Sequence, residues 1–318
     1  MKKILITGTA GFIGFHLTKS LLDDGYEVLG IDNLNDYYDP KLKQARLDQL
    51  DPYKNFTFEK IDIVNRDSLT RSFKLFKPNK VVNLAAQAGV RYSIENPYAY
   101  MDSNLVGFLN IIELCRHNDV EGLIYASSSS VYGGNTKLPF SVEDRVDNPI
   151  SLYAATKKAN ELIANTYSYL YGLHTTGLRF FTVYGPWGRP DMAIFIFARK
   201  ILSNEPIPVF NNGNMKRDFT FIDDIISGTK SAIDKNYKCE IFNLGNGNSE
   251  HLMDMINIIE NELEEKAIIK FLPMQPGDVK ESIADIESAR KMLGYSSTTD
   301  LEVGLKHLIK WYRKYYGK

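Results

Sequence analysis

Gly8-Thr9-Ala10-Gly11-Phe12-Ile13-Gly14 follows directly on the apolar run Ile4–Thr7 and leads into Phe15–Asp24, whose apolar spacing is helical. Glycines in this rhythm permit a tight strand-to-helix turn and a close backbone approach. The free amides at the helix start then face a ligand, with the positive end of the helix dipole behind them. Three glycines alone are weak evidence, because any strand-to-helix turn can use them. Asp32, at the end of the next β-rich run Glu27–Asp32, supplies the second half of the pattern. Its carboxylate is placed to accept hydrogen bonds from an adenosine ribose and to repel the extra phosphate of NADP. Together they predict a dinucleotide site that prefers NAD.

Working outward, further β-rich runs at Thr57–Asp62, Lys80–Leu84, Leu123–Ser127 and Thr175–Arg179 alternate with helix-compatible stretches at Ser68–Phe76, Asp102–Asn118 and Ser151–Tyr171. This is the pattern of right-handed βαβ units, and it predicts an α/β fold, a Rossmann-like doubly wound parallel sheet. After Arg179 the alternation breaks into a Gly- and Pro-bearing loop, Tyr184–Pro190, and a helical stretch, Met192–Asn204. Cys239–Leu244 reads as one more sheet strand. The expected domains are therefore interleaved: residues 1–183 plus about 219–249 for the dinucleotide, and about 184–218 plus 250–318 as a smaller substrate-binding domain.

The 318 residues carry 38 Lys plus Arg against 39 Asp plus Glu, leaving no positive field for nucleic acid or an anionic membrane. No apolar run approaches the roughly 20 residues needed to span a bilayer, so a cytoplasmic protein is expected. Cys115 and Cys239 lie far apart without metal-ligand spacing, which suggests reduced thiols. His16, His117, His174, His251 and His307 have no acidic or Cys cluster around them, so no metal is expected.

Tyr153 and Lys157 stand four apart in a helical stretch, hence on one face and within reach of one substrate. A phenol with an ordinary pKa near 10 can serve as a base near neutrality only beside positive charge, which Lys157 and an oxidised nicotinamide would supply. For an isolated match a packed tyrosine beside a surface lysine would be the commoner explanation. Context favours chemistry. Tyr125–Gly133 ends an apolar strand in Ser127-Ser128-Ser129-Ser130, hydroxyls able to bind a sugar oxygen at the carboxyl edge of the sheet.

The glycine turn, Asn83-Leu84-Ala85-Ala86, the serine-rich strand end, Tyr153/Lys157 and Arg179–Pro186 together resemble the extended short-chain dehydrogenase/reductase superfamily over nearly the whole chain. Within it, Asp32–Tyr38, Gln87–Ser93 and Gly188–Ala193 resemble the UDP-glucuronate 4-epimerases. The resemblance implies reversible C4 epimerisation of UDP-glucuronate and UDP-galacturonate through a transient 4-keto sugar. Tyr153 would take the hydroxyl proton, bound NAD would accept the C4 hydride, and Lys157 would tune Tyr153. Ser128 best matches the catalytic Ser/Thr of the family, with Ser127 and Ser129 as alternatives. Gly8, Gly11, Phe12, Ile13, Gly14, Asp32, Asn33, Leu84, Ala85, Ala86, Tyr153 and Lys157 are the expected NAD contacts; Asp62 and Ile63 either approach the adenine or begin a turn.

Related dehydratases carry an Asp-Glu pair just after the catalytic hydroxyl, and related decarboxylases a Glu one position later. Ser129-Ser130 stand here instead, which favours hydride removal and return over water elimination. A uronate carboxylate calls for a cation or convergent donors: Arg189 could supply a fork and Thr182 a hydroxyl, or Arg189 could bind a phosphate. Gln87, Arg91, Arg217 and Asp278 are the other substrate candidates, the last two at positions resembling those that contact UDP. Neutral and N-acetylated UDP-hexoses are competing substrates, the latter because Ser282 is small at a position that resembles one where bulky residues of galactose epimerases restrict N-acetylated sugars. A catalytically silent NAD-bound sensor is the competing class. By analogy with the family, the Asp102–Asn118 and Ser151–Tyr171 helices would form a homodimer bundle.

Overall fold

The computed structural model describes residues 2–275 and 277–317, so Pro276 in the stretch Gln275–Asp278 lies outside the described residues. Alternation within the first strand determines the layering. In β1 (Lys3–Thr7) Ile4 and Ile6 join one apolar core and Leu5 the other. A strand buried on both faces needs cover on both, which crossover helices supply.

The chain continues through α1 (Phe12–Asp23), β2 (Glu27–Asp32), α2 (Pro40–Asp48), β3 (Phe56–Lys60), α3 (Arg66–Phe76) and β4 (Lys80–Asn83). Two short turns, α4 (Tyr92–Glu95) and α5 (Pro97–Tyr100), precede a π-helical stretch, Met101–Gly107, that runs into α6 (Phe108–His117). β5 (Gly122–Ser128), α7 (Leu152–Tyr171) and β6 (Thr175–Phe180) complete the regular alternation. Then come β7 (Thr182–Tyr184), α8 (Ala193–Leu202), β8 (Ile207–Phe210), β9 (Lys216–Arg217), β10 (Phe219–Phe221), α9 (Ile222–Lys235) and β11 (Cys239–Leu244). β12 (Glu250–His251), α10 (Leu252–Leu263), β13 (Ile269–Leu272), α11 (Glu287–Leu293) and α12 (Leu301–Tyr316) follow.

Seven parallel strands form one sheet in the order β11-β6-β5-β4-β1-β2-β3, so Cys239–Leu244 returns to the edge beside β6 as the sequence indicates. Three two-stranded ladders, β7 with β10, β8 with β13 and β9 with β12, stand outside it. The order reverses between β1 and β4, whose carboxyl ends open a crevice at the switch point. There Thr7 Oγ1 donates to Asn83 Oδ1 at 2.7 Å and accepts from the Ala85 amide at 3.1 Å.

Three differences from the sequence reading have identifiable physical causes. Helix α1 starts at Phe12 rather than Phe15, because Gly11 is its N-cap and Gly14 already lies inside it. The expected helix Asp102–Asn118 begins as a π-helix, and Asn104 within it is buried and bonded to both sides: it pairs with the Gln87 backbone and donates to Thr156 Oγ1 at 3.0 Å. Helix α2 was not foreseen, although Asp39 caps the Lys41 amide and Pro40 holds the first helical position.

A buried ion pair ties α7 to the sheet. Arg179 of β6 donates from Nε to Glu161 Oε1 at 2.8 Å and from Nη2 to Oε2 at 2.9 Å, with both side chains fully buried. Ser127 donates to the same Glu161 oxygen at 2.6 Å, and Arg179 Nη1 donates to Tyr132, which donates to Asn243 of β11. Removing one partner of a buried pair strands the other, at a cost of about 3–5 kcal/mol. Arg179→Met should lower unfolding free energy by that amount in urea melts, and a loss below about 1 kcal/mol would contradict this picture.

Candidate active site

The glycine turn packs against the end of β4 so closely that side chains have no room. A Cβ on Gly8, whose φ is +77°, would sit 2.7 Å from the Ala85 nitrogen, and one on Gly14 would sit 2.0 Å from the Gly8 carbonyl oxygen. The first-turn amides of α1 lack intrahelical partners and front the crevice. From Gly8, Gly11, Phe12, Ile13 and Gly14 one continuous cleft runs past Asp32, Asn33, Asp62 and Ile63, then along Leu84, Ala85 and Ala86 to Tyr153 and Lys157. All the residues the sequence reading assigned to NAD line it.

Asp32 is buried, and burial pushes its carboxyl above the ordinary value although two backbone amides pull it back, Leu34 at 2.8 Å and Ala10 at 3.1 Å. Each carboxylate oxygen takes one amide, so acceptor capacity remains for ribose hydroxyls. Asn33 Nδ2 donates to Asp62 Oδ2 at 2.8 Å, joining two strand ends of the cleft. This bare glycine cradle and buried acceptor suit a dinucleotide.

At the other end Ser151 caps α7, placing Tyr153 and Lys157 in its first turns beside the end of β5. Lys157 is buried and donates to the Ala126 carbonyl at 2.9 Å. Tyr153 feels opposing influences: burial pushes the phenol up, while the Ser128 hydroxyl and the Arg189 charge pull it down. The serine run resolves geometrically. Ser127 lines the cleft but spends its hydroxyl on Glu161, Ser128 lines the cleft beside Tyr153, and Ser129 is not among the lining residues.

Gln87 and Arg189 also line this cleft, and Arg189 borders a smaller adjoining cavity together with Thr182. The Arg189 fork is already engaged by Asp191, through Nε at 3.0 Å and Nη2 at 2.5 Å, which leaves Nη1 for an incoming anion. Burial opposes the Asp191 charge, but Arg189 overcomes it and holds the carboxyl below its usual range. Arg91, Arg217 and Asp278 gather elsewhere: Asp278 lies 3.4 Å from Arg91 Nη2 and 3.9 Å from Arg217 Nη2, and none of the three lines the main cleft.

The sequence reading assigned no role to Asn35, Tyr37, Tyr38 and Lys43, which line the cleft beside Asp32, or to Ser103. Lys43 donates to the Asn35 carbonyl and side-chain oxygens, both at 2.7 Å. The Asp39-Pro40 cap was the available signal, because it starts the helix that carries Lys43.

Burial alone pushes the Lys157 ammonium down to about 8 from its ordinary 10.5. Between those values the unfolded chain keeps a proton that the folded chain has released, so stability of NAD-free protein rises with pH across that window. Lys157→Met removes the buried charge and should stabilise NAD-free protein by about 1–3 kcal/mol near neutrality. In urea melts that gap should close as pH is raised from about 8 towards 10.5, and a variant no more stable than wild type near neutrality would contradict it.

The chain is 48% identical over 332 residues to UDP-glucuronate 4-epimerase 4 of Arabidopsis thaliana, covering 99% of this chain and 76% of that protein. The crystal structure of UDP-glucuronic acid 4-epimerase from Bacillus cereus, in complex with UDP-glucuronic acid and NAD, superimposes with a TM-score of 0.94 at 35% identity, covering 99% of this chain and 100% of that one. The UDP-glucose 4-epimerase of Thermotoga maritima, solved with UDP-glucose, gives 0.91 at 31% identity, with 99% of both chains covered. A model of the NAD dependent epimerase/dehydratase family matches residues 4–245, three-quarters of the sequence, and the chain belongs to that family.

Proposed function

We propose that the protein inverts C4 of a UDP-uronate, interconverting UDP-glucuronate and UDP-galacturonate. The observation that carries this reading is one cleft holding the glycine turn at one end and Ser128, Tyr153, Lys157 and Arg189 at the other. The names of the Arabidopsis and Bacillus relatives point the same way.

NAD, when bound along Gly8–Gly14, Asp32 and Leu84–Ala86, supplies a reversible hydride acceptor for the sugar C4. The chain itself handles the proton. Tyr153 takes the C4 hydroxyl proton and returns it after the sugar has presented its other face, so no net proton is consumed. Burial makes the free phenol a poor base, and the Ser128 hydroxyl and the Arg189 charge pull it back; Lys157, its Nζ 6.0 Å from the centre of the Tyr153 ring, supplies further positive charge on this reading. Ser128 aligns the reacting oxygen. Arg189 meets the uronate carboxylate with the part of its guanidinium that Asp191 leaves free, and Thr182 adds a hydroxyl. Ser129 and Ser130 offer no carboxyl to drive water elimination. Arg217 and Asp278 of the smaller domain, about 184–218 plus 250–318, take the UDP portion together with Arg91 of the larger one.

The protein works as a homodimer on this reading. Leu109 of α6 and Leu162 and Tyr169 of α7 are exposed, Tyr169 at 87%, on neighbouring helices, and a second copy would cover them. Cys115 and Cys239 are both free thiols, which fits a cytoplasmic setting, and no helix among the described residues is long and apolar enough to cross a membrane.

In an NMR assay with added NAD, either UDP-uronate should yield the other, and Tyr153→Phe should lose a factor of about 10²–10⁴ in kcat with circular dichroism unchanged. Product from UDP-glucose or UDP-N-acetylglucosamine with none from UDP-glucuronate would overturn the uronate assignment. Light scattering should find a dimer that Leu162→Glu combined with Tyr169→Asp converts to folded monomers; a monomeric wild type would defeat the assembly.

A further inference from the structure

We infer that Arg46 is a positioning residue that sets Arg189 from the glycine turn, so that the dinucleotide and carboxylate ends of the cleft share one anchor. The inference rests on Arg189 meeting the uronate carboxylate. Arg46, on α2, is completely buried, yet all its partners are neutral. Nε donates to the Trp187 carbonyl at 3.0 Å, and Nη2 to the same carbonyl at 2.7 Å and to that of Gly188 at 3.1 Å. Nη1 donates to the Ala10 carbonyl and to the Tyr38 hydroxyl, both at 2.7 Å. A guanidinium has five N–H donors, and here every one is used.

The acceptors give this saturation its meaning. Ala10 lies inside the glycine turn, and Trp187 and Gly188 immediately precede Arg189. The loop has little freedom of its own. Trp187 holds a φ of +60°, which side-chain-bearing residues avoid, and its ring packs 5.6 Å from Phe15 of α1 and 5.1 Å and 5.3 Å from Trp311 and Tyr315 of α12. A Cβ on Gly188 would meet the Phe195 ring at 2.4 Å. Arg46 joins this constrained loop to the turn through carbonyls that one planar fork can reach on both sides at once. A lysine carries the same charge, but its donors radiate from one atom and cannot reproduce that span. A buried cation with no acid bonded to it, although Asp32 feels its charge, is costly for stability alone, and a positioning role accounts for its presence.

The test compares Arg46→Lys and Arg46→Gln with wild type by calorimetric titration of UDP-glucuronate, UDP-glucose and UDP, with folding checked by circular dichroism. Both variants should bind UDP-glucuronate roughly tenfold more weakly while UDP-glucose and UDP stay within about twofold. KM for UDP-glucuronate should rise more than kcat falls. Arg189→Met separates the two readings. Should it weaken UDP-glucuronate and UDP-glucose alike, the carboxylate reading fails and this inference falls with it. Should it weaken UDP-glucuronate selectively while the Arg46 variants weaken all three ligands equally or none, Arg46 is structural only and the positioning role is wrong. Failure of both Arg46 variants to fold would also overturn it.

Discussion

The buried pair between Glu161 and Arg179 is the constraint on which the reacting end depends. Glu161 sits one helical turn beyond Lys157 and two beyond Tyr153, on the same face of α7. Its bidentate bond to β6 therefore sets the rotation and height of the helix that carries both groups. The same carboxylate takes the Ser127 hydroxyl, which removes one of three neighbouring serines from competition, while Ser128 lines the cleft. Through Tyr132 and Asn243 the network reaches the carbonyls of Phe140 and Asp285, so β11 and the segments flanking it are held in register with the chemistry.

A second buried guanidinium plays the corresponding part at the other side of the cleft. Where Arg179 is held by a carboxylate, Arg46 is held by backbone carbonyls and a phenol, and it spans the turn at Ala10 and the loop at Trp187 and Gly188. Between these two fixed points lie the charges to which the proposed proton movement is assigned: an ammonium at Lys157 that burial makes easy to deprotonate, and Arg189 steadied by Asp191. The phenol of Tyr153 stands among them as a buried acid, pushed up by burial and pulled back by the Ser128 hydroxyl and the Arg189 charge.

Much of this was legible in the sequence. The alternation of β-rich runs with helical stretches, the Gly8–Gly14 turn and Asp32 specify a doubly wound sheet, and β2 and β11 begin and end at the residues their apolar runs indicate. The four-residue spacing of Tyr153 and Lys157 was enough to place them on one face. What the sequence could not show is which hydroxyl or guanidinium is already taken. Ser127, Arg189 and Asp191 look free in one dimension and are paired in three. The π-helical start of α6 depends on Asn104 finding Gln87 and Thr156, a tertiary bond that no local periodicity encodes. Nothing in the sequence singled out Arg46, because its helix shows little amphipathic pattern and its burial depends on a loop 141 residues away.

The central claim is that C4 is oxidised and restored within one cleft, without exchange of its hydrogen with water. Conversion of UDP-glucuronate carrying deuterium at C4, followed by mass spectrometry and NMR of the product, tests it most directly. The account predicts UDP-galacturonate that retains the deuterium at C4. Product whose C4 carries hydrogen from the solvent would contradict it.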